Sequence, residues 1–226
     1  MTGKKLFTEH ERTFARNKFV YPVVSRRSQG LSIGINLNPD KVCNFDCIYC
    51  QVDRRSDSDI PFVETDQLLT ELKEMFAFAK SGEIFETEKF KTTPSHLRRI
   101  NDIAFSGDGE PTTFKNFPEI IKACAELKRE YQLDNVKMVL ITNASVFDRL
   151  EVKRGLEILD QNEGEIWAKL DAGTQEYFKI IDRSPMKFSR LLKNITTVAQ
   201  KRPIVIQSLF MNVNNEPPTQ KEQEAY

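Results

Sequence analysis

The sequence predicts an α/β protein: a partial, TIM-like (β/α) barrel of parallel strands covered by helices, formed as one domain over residues 1–226. Three observations predict it. Five short runs rich in β-branched and other apolar residues stand at 31–37, 103–106, 137–142, 166–170 and 204–211. Apolar residues at helical spacing separate them, such as Leu68, Leu69, Leu72, Phe76 and Ala79, or Phe188, Leu191, Leu192, Ile195 and Val198. A length of 226 residues supports one sizeable core and is short for a second full domain.

Residues 1–30 precede the first predicted strand as an amino-terminal extension. They alternate charged and apolar residues without a signal-peptide apolar region. Ser25, Arg26 and Arg27 within them are surface charge or a phosphate contact. The run at 31–37 is nearly continuous in apolar residues, the pattern of a strand buried on both faces. A long crossover, 51–100, follows and carries an insertion. Its charged stretch 83–92 alternates in sign, as a solvated face or mobile loop does. After the second strand, Ile120, Ile121, Cys124 and Leu127 share one helical face, which makes Cys124 a packing residue. The third and fourth strands repeat the βα pattern with right-handed crossovers. Gln207 interrupts the apolar fifth run and is expected to turn its amide toward the interior, near a ligand or satisfied within the core. The tail 212–226 is polar and proline-containing, a linker or helix start that ends abruptly. In such a fold, functional groups gather in the loops after the strands' carboxyl ends.

Charge and cysteine usage narrow the function. The 33 basic and 33 acidic side chains cancel, so no global field drives non-specific nucleic-acid binding. RNA contact would rest on local pairs such as Arg26-Arg27, Arg54-Arg55 and Arg98-Arg99. No apolar stretch reaches the length of a membrane span, and a cytoplasmic chain with no membrane partner is expected. Three of the four cysteines fall within eight residues, a spacing for metal or cluster ligation rather than a disulfide framework.

Those three, Cys43, Cys47 and Cys50, form a C-x3-C-x2-C run six residues past the first strand. Soft thiolates select zinc or iron-sulfur clusters, and a [4Fe-4S] cube normally takes four cysteines. Three ligands leave one iron open for chemistry on a bound molecule, as an open position separates catalytic from structural zinc. The alternatives are a zinc-stabilised structural site completed by His10, His96 or Cys124, and a non-catalytic electron-transfer module. The paired CxxC knuckle of structural zinc is missing. After the second strand, Phe105-Ser-Gly-Asp-Gly-Glu-Pro111 supplies glycines that allow close backbone approach and Glu110 as an acceptor for an ammonium group, or forms a plain strand-to-helix turn. Lys41 either pairs with an anionic substrate or ligand carboxylate or is an exposed loop lysine.

A strand followed by CxxxCxxC, with Tyr49 just before the third cysteine, resembles the radical SAM superfamily. The segment 105–111 is similar to that family's Gly-Gly-Glu-Pro loop, with Asp108 in place of the first glycine. Leu140-Ile-Thr-Asn-Ala144, Leu170-Asp-Ala172 and Ile181-Asp-Arg183 resemble segments of the wyosine-forming tRNA enzymes and their bacterial relatives. The resemblance implies a [4Fe-4S] cluster on Cys43, Cys47 and Cys50 and S-adenosylmethionine (SAM) chelating the fourth iron. It places Tyr49 backbone at the adenine, Gly109 and Glu110 at the methionine end, and Asn143, Lys169 and Asp171 at ribose or carboxylate. Lys41, Asp108 and Gln207 are expected to border the SAM or substrate pocket. The implied reaction is reductive cleavage of SAM, of oxidoreductase or lyase type, fed by an external flavodoxin- or ferredoxin-type donor. Transfer RNA is the first substrate expected by analogy, with a protein or small molecule open. Residues 1–42 contain no cysteine, so the second cluster of the wyosine-forming enzymes, and with it their pyruvate-dependent condensation, is not expected.

Overall fold

The computed structural model describes residues 14–226. The strands are β1 (Val20–Ser25), β2 (Gly30–Ile35), β3 (Ile100–Phe105), β4 (Lys137–Thr142), β5 (Gly164–Lys169) and β6 (Val205–Gln207). They form one sheet in sequence order. The helices are α1 (Thr65–Ser81), α2 (Phe117–Glu130), α3 (Leu150–Asp160), α4 (Gln175–Ile181), α5 (Phe188–Ala199) and α6 (Gln220–Ala225). From β2 to β6 the pairing is parallel, and β1 joins β2 antiparallel. This is the expected partial (β/α) barrel.

The sheet has one apolar and one small or polar face because successive side chains alternate. Leu31, Ile33, Ile35, Ile103, Phe105, Met138, Leu140 and Ile166 are buried. They form one core with Leu68, Leu72 and Phe76 of α1, Ile121 and Cys124 of α2, and Leu156 and Leu159 of α3. Each such side chain contributes about 1.5–3 kcal/mol by leaving water. Helix α1 ends where Gly82 takes a left-handed φ of 83° and returns its N–H to Ala79. In α5, Phe188, Leu191, Ile195 and Val198 face inward, whereas Leu192 is 39% exposed and lies off the predicted stripe.

Three expectations change, and the helix start read in the tail is seen. The extension contains a strand, β1, whose Pro22 is tolerated because β1 is the sheet's edge; Arg26 and Arg27 sit in the turn to β2. The stretch 83–92 is not simply solvated or mobile: Ile84, Phe85 and Phe90 enter the core between its charges. The run 204–211 yields only β6, three residues long and exposed, with Val205 47% and Ile206 41% accessible, because it pairs only with β5. The tail forms α6, whose buried Glu222 accepts from the Gly173 N–H and the Thr174 hydroxyl in the loop after β5.

The other face lines a cavity of about 420 Å³ with Tyr21, Ser32, Gly34, Asp102, Ala104 and Trp167 among its walls. A register shift between β2 and β3 sets Ser32 opposite Asp102, and the Ser32 hydroxyl donates to the Asp102 carboxyl. Burial pushes that carboxyl up from its ordinary value, against the opposing pull of Ser32. Its unfolded pKa is about 3.9. The stability it contributes is therefore complete below about pH 3.9 and is lost as pH rises through the higher folded value. Asp102→Asn, which does not ionise, is expected to flatten the pH dependence of the urea midpoint between about pH 4 and 8, gaining on the wild type toward alkaline pH. A midpoint that tracks the wild type's at every pH would refute this role.

Candidate active site

The three cysteines lie on the loop leaving the carboxyl end of β2, and the intervening residues hold that loop in place. Asn44 donates to the Ser145 hydroxyl at 2.7 Å and accepts from Asn143 Nδ2 at 2.8 Å. Phe45 is buried edge-on against Phe178 of α4, with ring centroids 5.6 Å apart. The amides of Asp46 and Ile48 donate to the carbonyls of Asp182 and Ile181, at 3.1 and 2.8 Å. The Tyr49 hydroxyl donates to Asp171. The thiols of Cys43, Cys47 and Cys50 line a cavity of about 910 Å³ over the sheet's carboxyl end.

The loop after β3 packs under the cysteine loop. A Cβ at Gly109 would collide with the Val42 carbonyl, and one at Gly107 with the Asn36 side chain, so these glycines permit close approach of two loops. Asp108 is drawn to Asn36, accepting from its Nδ2 at 2.6 Å. It does not line the larger cavity among the residues bordering it. Glu110 does line it, but its carboxylate is buried and engaged by the chain: Oε1 accepts from the Thr112 N–H at 3.1 Å, the Thr112 hydroxyl and the Thr142 hydroxyl at 2.6 Å, and Oε2 from the Asn143 N–H at 2.6 Å. Burial raises its pKa against these donors.

Asp171 gathers the opposite wall. Its Oδ1 accepts from the Leu209 N–H at 2.7 Å, and its Oδ2 meets Tyr49 and, at 3.3 Å, Lys169 Nζ. Lys169 Nζ also stands 4.8 Å from the Tyr49 ring centroid. The pull of Asp171 on Leu209 draws the chain out of the sheet just after Gln207, consistent with the shortness of β6. Lys169 and Gln207 border the cavity. Lys41 does not: its Nζ donates to the Ser56 hydroxyl at 2.9 Å, on the exposed side of the loop.

Burial raises the pKa of Cys43, and that of Cys47 further, with the nearby Asp182 adding to the latter. Asp182 Oδ1 lies 3.4 Å from Cys47 Sγ, and burial with the neighbouring Asp171 pushes its carboxyl up to about 6. Thiols so placed stay neutral unless a bound cation supplies the charge that makes them thiolates. The donor set therefore fits a metal cluster. Two of the side chains that could complete a structural zinc site stand away from it: Cys124 is closed inside the core, and His96 is exposed on a turn ahead of β3, at the opposite end of the sheet. His10 lies outside the described residues.

Asp182, Arg54 and Trp167 also belong to the cavity wall, although the sequence offers Asp182 only within the Ile181-Asp-Arg183 segment and Arg54 only within a basic pair. Arg54 looked like half of a surface basic pair, and Asp182 and Trp167 carry no spacing pattern tying them to the cysteines.

Soft thiols beside a cavity at the carboxyl ends of parallel strands are the arrangement of a cofactor-dependent (β/α) enzyme. The family model for the radical SAM superfamily matches residues 37–220, and the chain belongs to that superfamily. Its cofactors are those of the family, a [4Fe-4S] cluster and SAM. The chain is 32% identical over 165 residues to a protein named GTPase Obg from Brachyspira hyodysenteriae, covering 72% of this chain and 20% of that one. It is 28% identical over 162 residues to a UPF0026 protein of Methanocaldococcus jannaschii, covering 72% and 43%, and 26% identical over 181 residues to one of Helicobacter pylori, covering 79% and 51%. The chain thus spans from a fifth to about half the length of these relatives. Among solved structures it is similar to TYW1 with a lysine-pyruvate adduct bound (17% identity, TM-score 0.47, 78% of this chain and 54% of that one). It is also similar to Streptococcus suis SuiB bound to S-adenosylmethionine (17%, 0.47, 81% and 34%). Among the described residues no helix is long and apolar enough to cross a membrane.

Proposed function

We propose that Cys43, Cys47 and Cys50 hold three irons of the cluster, and that SAM occupies the cavity of about 910 Å³ they border. The carrying observation is the division of labour in the loop: Asn44, Phe45, Asp46, Ile48 and Tyr49 are fastened to the scaffold, and Cys43, Cys47 and Cys50, before, among and after them, line a cavity within the roughly 300–1,000 Å³ of small-molecule sites. An electron-transfer module has no need of that space. When bound and reduced, the cluster supplies the electron that splits SAM into methionine and a 5′-deoxyadenosyl radical, which takes a hydrogen atom from the substrate. The chain's own groups orient and shield. Lys169 and Gln207 present polar groups on the far wall, Asp171 fixes Tyr49, and Asn143 fixes Asn44.

The substrate proposed is RNA, transfer RNA first. Support comes from the Thr-Asn-Ala and Asp-Ala segments at the ends of β4 and β5 and from Arg26 and Arg27, which line the adjoining cavity with Trp167. The electron comes from a separate flavodoxin- or ferredoxin-type protein, in the cytoplasm. The test is anaerobic: reconstitute with iron and sulfide, add SAM and a strong reductant, and measure 5′-deoxyadenosine with and without bulk tRNA. Product is expected in both cases, and tRNA should raise its rate. No product from a protein with three iron-ligating cysteines would overturn the enzyme reading; product indifferent to tRNA would overturn the substrate.

A further inference from the structure

We propose that Arg54 sets the electron affinity of the cluster by donating to the Cys50 sulfur while tying together the two ends of the cysteine loop. This rests on the reading that Cys43, Cys47 and Cys50 are the ligands. Arg54 stands four residues past Cys50, lines the larger cavity, and brings Nη2 to 3.5 Å from Cys50 Sγ. Its Nη1 donates to the carbonyl of Lys41, two residues before Cys43. One planar fork thus spans both sides of the cysteine run.

The surrounding turn holds the fork there. Lys41 adopts a left-handed φ of 62°, and its Nζ returns to Ser56. Asp53 accepts from the Arg55 N–H at 3.0 Å and from the Ser56 hydroxyl at 2.8 Å, closing a tight bend beside Arg54. The segment after Cys50 is therefore folded over the segment before Cys43. Lysine carries the same charge, but as a compact ammonium it lacks the rigid fork that reaches both acceptors.

The charge at this place is the consequential feature. Asp182 Oδ1 stands 3.4 Å from Cys47 Sγ on one side, and the Arg54 guanidinium stands at Cys50 Sγ on the other, so a cation opposes a carboxylate across the cysteine run. Reduction adds one electron to the cluster. A cation hydrogen-bonded to a ligand sulfur stabilises the reduced state more than the oxidised one and moves the potential upward. Charge-assisted donors are the stronger class of hydrogen bond, and this one reaches a ligand sulfur directly.

The test compares reconstituted full-length wild type, Arg54→Gln and Arg54→Lys in a redox titration followed by electron paramagnetic resonance, with iron and sulfide determined for each. Arg54→Gln is expected to keep wild-type iron content and to show a reduced-to-oxidised ratio about tenfold lower at the wild-type midpoint, a displacement of 59 mV for a one-electron couple. Arg54→Lys gives up the tie to the Lys41 carbonyl but keeps a unit positive charge beside the sulfur, and because the charge sets the potential it should stay within about threefold of wild type. Wild-type behaviour in Arg54→Gln, or equal displacement in both variants, would overturn the role of Arg54. A tenfold displacement in Arg54→Lys would do so even if Arg54→Gln held no cluster. A wild-type protein that binds no cluster overturns the ligand reading itself, and is told apart by its iron content.

Discussion

Cys47→Ser is expected to abolish the cluster and to bring 5′-deoxyadenosine formation to background. Disturbing only an outer partner of a metal ligand commonly costs about 10–100-fold, and removing the ligand should exceed that. The fold should survive, because the loop is fastened by Asn44, Phe45 and the Asp46 and Ile48 amides, none of which uses the thiol. Replacing a partly buried thiol with a hydroxyl should cost about 1 kcal/mol or less where water can reach it. Cys124→Ser makes the opposite pattern. It places a hydroxyl in a closed apolar core, for a loss of about 1–3 kcal/mol, with iron per chain unchanged. Iron content and a thermal melt on the two variants separate a cluster loop from a structural site. Unfolding of Cys47→Ser with release of zinc would favour the structural site.

The contrast between these cysteines was legible in the sequence because both patterns are local. Three thiols in eight residues and a thiol on an apolar helical stripe need no tertiary information. The parallel core was legible for the same reason, and β4 falls on its predicted run, 137–142. What escaped depends on long-range pairing. Strand β1 contains a proline that weakens its signal, and only its place at the sheet edge makes that proline harmless. The run 204–211 has the composition of a buried strand, yet the Leu209 amide is captured by Asp171, 38 residues earlier, and the strand stops. Asp182 and Arg54 reach the cysteines from a helix end and from a turn, at separations of 135 and 4 residues, neither of which forms a pattern. Lys41, two residues before Cys43, and Asp108, inside the 105–111 segment, by contrast belong to the motif segments and turn to Ser56 and Asn36 instead.

Glu110 is the residue whose role the geometry redefines most, and its variants should show it. The sequence suggests a carboxylate waiting for a ligand's ammonium group; in the structure both oxygens are taken up by the chain itself. Glu110→Ala would leave the Thr112 and Asn143 amides and two hydroxyls without their acceptor. Each buried donor left unsatisfied costs about 1–3 kcal/mol, so a loss of about 3–5 kcal/mol is expected, and at about 2–4 °C per kcal/mol for a chain of this size the melting temperature should fall by about 6–20 °C. Glu110→Gln keeps one acceptor but turns an NH2 toward a donor, for a loss of about 1–3 kcal/mol. The order wild type, Gln, Ala is expected in a thermal melt without any cofactor present. The damage should also reach the cluster, since Glu110 holds the Asn143 amide and the Asn143 side chain holds Asn44 between Cys43 and Cys47. Iron retention after reconstitution should therefore fall in the same order. A carboxylate reserved for SAM would behave otherwise: Glu110→Gln would melt as the wild type does, keep its iron, and lose only affinity for SAM.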